Sequence, residues 1–262
     1  MTYNTKKRFG QNFLVDQFVL NKIIAIIDPR PEDFIVEIGP GMGAMTSIIS
    51  NHVNKLNVIE IDTDLVNYLK DNLAKNIIIH NIDVLKFDFN LFLGNKIKLI
   101  GNLPYNISTP LLFHLAQYNN IKEMYFVLQK EVVDRICASH STKEYGKLTV
   151  MMQYKFKCVK LLSIDAESFN PKPKVQSALL KITPLENIVY QDINEKILYN
   201  IVNTAFNKRR KTIANSLKCL FNTEELQQHN IDSNQRAENL TVTQYLSLAK
   251  YLFNKSHNLI KL

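Results

Sequence analysis

Short apolar runs alternate with stretches of helical spacing through the first half of the chain. Phe34-Ile35-Val36-Glu37-Ile38, Leu56-Asn57-Val58-Ile59, Ile77-Ile78-Ile79 and Ile97-Lys98-Leu99-Ile100 are too short for core helices and rich in β-branched residues. They predict buried strands near 34–38, 56–61, 77–81 and 97–101. Helical spacing fills 16–27, 43–52, 63–73 and 108–118. Met124 to Leu128 predicts a fifth strand, 131–139 a helix, and 141–147 a polar loop. Residues 156–164 and 175–183 read as a strand pair. This alternation predicts an α/β fold built on a doubly wound sheet. After Thr183-Pro184 only helical spacing remains, over 193–252. Two domains are expected: residues 1–184, and a small all-helical one over 185–262, joined at about 184–192.

In an open α/β sheet, ligands gather at the C-terminal ends of the strands, and the chain places its unusual residues there. Gly39, Gly41 and Gly43 follow the first core strand, three of only 7 glycines in the chain. Such a turn lets a ligand approach the backbone. In a glycine-poor chain that concentration favours a site over a plain strand–helix turn, but it does not name its ligand. Glu60 ends the next strand, where a carboxylate can hold ribose hydroxyls of a dinucleotide or of any adenosine cofactor. Asp83 follows the third strand and can receive an adenine amine, cap a helix from Val84, or both. Asp62 reads as the cap of the helix from Thr63. After the strand at 97–101 comes Gly101-Asn102-Leu103-Pro104-Tyr105. The Asn102 side-chain oxygen and the Leu103 carbonyl can both accept hydrogens from an amine. Pro104 fixes the local backbone, and Tyr105 offers a flat face for a base.

These motifs, with two more, carry a family resemblance. Glu-Ile-Gly-Pro-Gly-Met-Gly-Ala-Met-Thr, Glu60, Asp83 and Asn-Leu-Pro-Tyr look like the Rossmann-like class I methyltransferases that use S-adenosylmethionine. Gly10-Gln11-Asn12-Phe13-Leu14 and Phe169-Asn170-Pro171-Lys172-Pro173-Lys174-Val175 narrow the match. They resemble the opening and late motifs of the ribosomal RNA adenine N6,N6-dimethyltransferases, and the whole is most similar to the small-subunit branch. The resemblance runs from about residue 5 to the C-terminus. The motif residues depart from the family pattern only in Met for Leu at 42 and 45, a volume-conserving change. It implies S-adenosyl-L-methionine as cofactor, with its amino acid part near Gly39 and Asn12, and Leu14 close. Gly41 and Asn102 join the cofactor site, Glu60 takes the ribose and Asp83 the adenine. It implies Asn102, Leu103, Pro104, Tyr105 and Phe169 as the catalytic group, the two aromatics sandwiching a flipped base. A core position for Phe169 is the alternative. The implied substrate is two adjacent adenosines in a hairpin loop near the 3′ end of small-subunit rRNA, within a pre-ribosomal small subunit.

Charge sharpens the RNA expectation. The formal net charge is +8. Lys6, Lys7 and Arg8 carry part of it, and residues 170–218 hold nine basic against three acidic residues. Basic patches of this kind are footprints of phosphate binding, though a solvated lysine face reads the same way. Lys208, Arg209, Arg210 and Lys211 open the helical stretch from Thr212 and are the RNA-binding candidates. No apolar run approaches membrane length and residues 1–15 lack an apolar core, so neither a membrane span nor a secretory signal is expected. The 3 cysteines are scattered, which suits the cytoplasm, and neither they nor the 6 histidines have metal-site spacing. A monomer with no metal is expected. Gly39-x-Gly41-x-x-Ala44 with Glu60 also fits a dinucleotide oxidoreductase, but that reading leaves Asn-Leu-Pro-Tyr and the basic run unexplained. A large-subunit rRNA adenine methyltransferase and a non-catalytic ribosome assembly factor are the other readings.

Overall fold

The computed structural model describes residues 11–104, 107–185, 193–208 and 210–260, apart from the side chains of 257–260. Lys6, Lys7, Arg8, Gly10, Tyr105 and Arg209 lie outside the described residues. The chain forms two compact units. The first contains everything up to Val133 and returns for Val159–Pro184, while the second takes Asp134–Cys158 and everything from Leu185 onward.

The first unit is built on a seven-stranded sheet. Its strands are β2 (Phe34–Ile38), β3 (Leu56–Glu60), β4 (Ile77–Asn81), β5 (Ile97–Asn102), β6 (Ile121–Gln129), β7 (Phe156–Ile164, counted in this unit from Val159) and β9 (Ser177–Pro184). They run in the order β4-β3-β2-β5-β6-β9-β7. The first five are parallel and β9 is antiparallel to β6. The Rossmann-like α/β expectation therefore holds, and so does the pairing of 156–164 beside 175–183. Two 2-residue strands, β1 (Phe13–Leu14) and β8 (Phe169–Asn170), form a separate antiparallel ribbon.

Helix α1 (Gln17–Ile27) shows how the sheet is covered. Asp16 accepts the Phe18 and Val19 N–H groups and caps it, and Leu20, Ile23, Ile24 and Ile27 lie buried along one face. They join Ile35 of β2, Ile100 of β5 and the α2 (Ala44–Ile49) residues Met45 and Ile49 in one core cluster. Helices α3 (Thr63–Asn72), α4 (Ser108–Leu115) and α5 (Lys130–Ile136) complete the alternation. Asp62 caps α3 by accepting the Asp64 N–H at 3.0 Å, as its position suggested. Lys98 of β5, 5% exposed, pairs at 2.7 Å with Asp33 and at 3.5 Å with Glu123, so its buried charge is compensated.

The second unit is helical: α6 (Lys147–Gln153), α7 (Glu195–Asn207), α8 (Ile213–Leu217), α9 (Thr223–Gln228) and α10 (Val242–Ile260). α7 buries Leu198, Ile201, Val202 and Ala205, a helical stripe that packs on α8 and α10. The division differs from a boundary at 184 alone, because 134–158 belongs here as well. α6 buries Thr149, Val150, Met151 and Met152 against α7 and α10. Gln153 Nε2 donates to the carbonyls of Ile136 and Ala138 at 2.8 and 2.9 Å, tying the preceding segment to α6. Among the described residues no helix is long and apolar enough to cross a membrane.

Candidate active site

The first unit carries a cavity of about 770 Å3 at the C-terminal ends of β2, β3 and β5, within the size range of small-molecule sites. It is lined by Asn12, Leu14, Gly39, Gly41, Glu60 and Asp83, and by Asn102, Leu103 and Pro104. Residues far apart in sequence thus converge as the motifs suggested. Glu37 lines it too, a residue that pattern reading treats as strand interior.

The glycine turn supplies the floor. Gly39 donates its N–H to the Ile59 carbonyl at 2.9 Å, fastening the turn to β3. Gly41 has φ +59°, and a Cβ there would lie 2.8 Å from the Phe13 ring. Glycine is therefore required both for the backbone angle and for the close seating of β1 over the turn. The β1–β8 ribbon pairs Phe13 with Asn170 and Leu14 with Phe169. The Val15 N–H reaches the Ser168 carbonyl at 2.9 Å, which extends that closure.

Glu60 ends β3 and is 6% exposed. Its Oε1 accepts the Asp62 N–H at 2.9 Å. Burial raises its carboxyl above the usual carboxylate range, and the Asp62 and Gly41 N–H groups only partly offset this. A partner that donates hydrogen bonds would suit it. Asp83 caps the turn that follows it, Oδ1 accepting the Leu85 N–H at 3.0 Å, and the residue also lines the cavity.

Asn102 is the last residue of β5. Its Nδ2 donates to the Asn12 carbonyl at 2.8 Å. A carbonyl only accepts, so this contact determines which amide atom is which. The amide is anchored by its nitrogen, and its oxygen remains as the acceptor. Leu103, 1% exposed, holds its place by donating its N–H to the Val127 carbonyl at 3.1 Å. The Pro104 carbonyl accepts the Ile107 N–H and the Ser108 hydroxyl at 3.2 and 3.1 Å, starting α4.

Phe169 is not placed as a stacking partner. It is 4% exposed and sits in the core cluster with Leu14, Leu20 and Leu179. Strand alternation turns Phe169 inward, and Asn170 and Pro171 line the cavity instead. The residue is a core aromatic in this structure, and the base-sandwich expectation for it is corrected. Lys208, Arg210 and Lys211 belong to the second unit and are exposed. They follow α7, whose C-cap is Lys208, and precede α8, whose N-cap is Thr212.

Residues 2–254 match the family model described as ribosomal RNA adenine dimethylase. The ribosomal RNA small subunit methyltransferase A of Nitrosomonas europaea is 46% identical over 254 residues, covering 97% of this chain and 98% of that protein. A crystal structure of a dimethyladenosine transferase from Plasmodium falciparum superposes with TM-score 0.80 at 25% identity, covering 93% of this chain and 98% of that one. The 23S rRNA methyltransferase ErmE superposes with TM-score 0.70 at 22% identity, covering 92% and 100%, which shows a shared fold. The chain belongs to the ribosomal RNA adenine dimethylase family, S-adenosylmethionine-dependent enzymes that methylate adenines of ribosomal RNA.

Proposed function

We propose that this enzyme methylates the N6 amines of two adjacent adenosines, each twice, in a hairpin loop near the 3′ end of small-subunit rRNA. The substrate is a pre-ribosomal small subunit in the cytoplasm, and the enzyme acts as a monomer. The single observation that carries the chemistry is the anchored amide of Asn102 at the rim of a cavity whose titratable lining residues are all acidic. The small-subunit assignment rests on the relative that is 46% identical over nearly the whole chain.

The residues fit S-adenosylmethionine. The order Asp83, Glu60, Gly39 follows the sheet order β4-β3-β2, which suits adenine, ribose and amino acid part in turn. Asn12 and Leu14 close over the ligand from β1. The bound cofactor supplies a methyl group on a sulfonium, ready for in-line displacement. The chain's own task is the nucleophile, because the adenine amine's lone pair is delocalised into the ring. Asn102 Oδ1 and the Leu103 carbonyl accept the two amine hydrogens and hold the lone pair toward the methyl. Tyr105, in the same motif, is proposed to stack on the base, at about 1–3 kcal/mol for such an interaction. The base must leave its stack to enter. Positioning of this kind supplies roughly 7–11 kcal/mol in well-aligned reactions.

Tritiated methyl transfer to unmethylated small subunits, naked small-subunit rRNA and large-subunit rRNA, with mapping of the modified bases, tests the reading. Modification confined to large-subunit rRNA would overturn it. For the cofactor, Glu60→Ala should weaken S-adenosylmethionine binding in calorimetry by about 1–3 kcal/mol, the cost of leaving hydrogen-bonding groups unpaired. Unchanged affinity would remove the ribose assignment.

RNA selection needs charges outside the pocket, since a base pocket recognises adenine but not its position. Lys208, Arg209, Arg210 and Lys211 are proposed to grip the helix backbone beside the loop. Neutralising Arg209 and Arg210 together should weaken RNA binding and lower the salt slope by roughly 0.7–0.9 for each phosphate that is no longer neutralised. Affinity for S-adenosylmethionine should stay constant. Wild-type RNA affinity and slope in the double variant would make this run a solvated face only.

A further inference from the structure

Helix α1 departs from its amphipathic pattern at one position. Leu20, Ile23, Ile24 and Ile27 turn inward, as a core-facing helix requires. The outward stripe carries Gln17, Phe18, Asn21, Lys22 and Ala25, all exposed. Phe18 stands where that stripe calls for a polar residue, and it is 67% exposed. Among the described residues of the first unit it is the only exposed phenylalanine or tyrosine. A single apolar side chain at the surface is ordinary by itself, so its neighbours decide what it means.

The neighbours place the ring at the mouth of the cavity and give it a charge. Val15, 55% exposed, lines the cavity, and so does Gln17. Phe18 is the next residue along, just outside the rim. The segment beneath it is held firmly, because the Val15 and Asp16 N–H groups both donate to the Ser168 carbonyl, at 2.9 and 3.3 Å. The Lys22 ammonium lies 4.2 Å from the ring centroid, a cation–π contact. Among the described residues no carboxylate forms an ion pair with Lys22. Asp16 is engaged by the Phe18 and Val19 N–H groups and by the Ser168 hydroxyl at 3.1 Å. Asp28 pairs with Arg30 at 2.6 Å. The stripe therefore presents one ring and one uncompensated cation. Gln17 Nε2 reaches Asn21 Oδ1 only at 3.5 Å, a contact weak enough for a better partner to displace.

We propose that Phe18 and Lys22 form a stacking seat for an unpaired nucleotide that adjoins the target adenosine in the RNA. The inference rests on the reading that the cavity receives a base from ribosomal RNA. A base that enters the cavity leaves its neighbour on the strand without a stacking partner, at the rim. The Phe18 face replaces that partner, and the Lys22 ammonium meets a phosphate beside it. Aromatic rings for bases and cations for the backbone are the means by which proteins hold single strands without reading their sequence. The amides of Gln17 and Asn21 can donate to or accept from the edge of whichever base sits there. A protein partner fits this surface less well. One ring among amides and a lysine is not the contiguous apolar patch that such an interface buries. The seat acts at the cavity itself, so it orients the strand that carries the target rather than the helix beside the loop.

Unmethylated small subunits and the full-length enzyme test this in equilibrium binding. Phe18→Leu keeps apolar bulk and removes the ring, and should weaken binding by about tenfold, within the range for one stacked base. Phe18→Tyr keeps the stack and should bind as wild type does. Lys22→Gln should weaken binding and lower the salt slope by roughly 0.7, the value for one single-strand phosphate. Calorimetry with S-adenosylhomocysteine should give wild-type affinity for all three, which reports an intact cavity. Ultraviolet cross-linking of wild type to the subunits, read by mass spectrometry, should join the peptide bearing Phe18 to a nucleotide next to the modified adenosines. Wild-type binding by Phe18→Leu, or equal weakening by Phe18→Tyr, would overturn the stacking seat. So would a parallel loss of S-adenosylhomocysteine affinity, or a cross-link of that peptide to ribosomal protein alone. If wild type neither binds nor methylates small subunits, the functional reading itself fails and takes this inference with it.

Discussion

Asn102→Ala is expected to slow methyl transfer by roughly a hundredfold to a thousandfold, the range seen when one preorganised polar group is removed from a reacting centre. S-adenosylmethionine affinity should fall by less than about tenfold. The asymmetry follows from what the side chain touches. Its oxygen is proposed to meet the target amine, so the interaction develops with the reaction and is felt mainly in the rate. Its nitrogen donates to the Asn12 carbonyl at 2.8 Å, so alanine also loosens β1 over the cavity, which gives the modest loss in binding. Asn102→Asp should be no better than alanine. A carboxylate cannot donate to the Asn12 carbonyl and would set lone pairs against it. Single-turnover rates and calorimetry on both variants separate the effects. Equal losses in rate and affinity would show that Asn102 only holds β1 or the cofactor.

The same two-sided geometry explains which parts of the molecule are legible in the sequence. The parallel strands β2, β3 and β5 announce themselves because strands buried on both faces need apolar runs, the half-buried edge strand β4 keeps an isoleucine run as well, and the C-terminal ends of these strands carry the residues that chemistry demands. Glu60, Asp83 and Asn102 are legible for that reason. The β1–β8 ribbon is not, since each strand has 2 residues and no periodicity can be seen in so short a segment. That omission accounts for Phe169. Read as a loop aromatic before spaced prolines, it looks free to stack. Paired opposite Leu14, it is turned into the core. Glu37 is hidden differently: one carboxylate inside an apolar run looks like noise, and that neither oxygen finds a hydrogen-bond partner is visible only once Thr46 and Glu60 surround it. α6 escapes pattern reading, and with it the place of 134–158. Its apolar face matches helices α7 and α10, which lie far along the chain. The basic run at 208–211 is plain in the sequence, although Lys208, Arg210 and Lys211 lie outside α7 and α8.

Gly101→Ala should destabilise the protein by about 3 kcal/mol or more, at the upper end of what overpacking a core costs. Gly101 is the residue before Asn102 in β5, and β5 runs parallel to β2 with Ile100 opposite Glu37. A Cβ on Gly101 would lie 2.5 Å from the Ile38 carbonyl oxygen and 3.1 Å from the Leu103 side chain. The first of these obstacles is backbone, and it belongs to the strand that leads into the glycine turn. It cannot rotate aside as a side-chain tip could. Relief requires β2 and β5 to part at the point where one carries Gly39 and the other Asn102. The variant should therefore lose more than stability. Displacing Asn102 by about 1 Å relative to the turn is enough to cost on the order of a hundredfold in rate, so the molecules that still fold should transfer methyl groups poorly. The denaturant midpoint measures the first effect, and turnover per folded molecule the second. Wild-type values for both would mean that the strands tolerate a wider spacing. The absence of a side chain at 101 would then have nothing to do with the closeness of the two halves of the site.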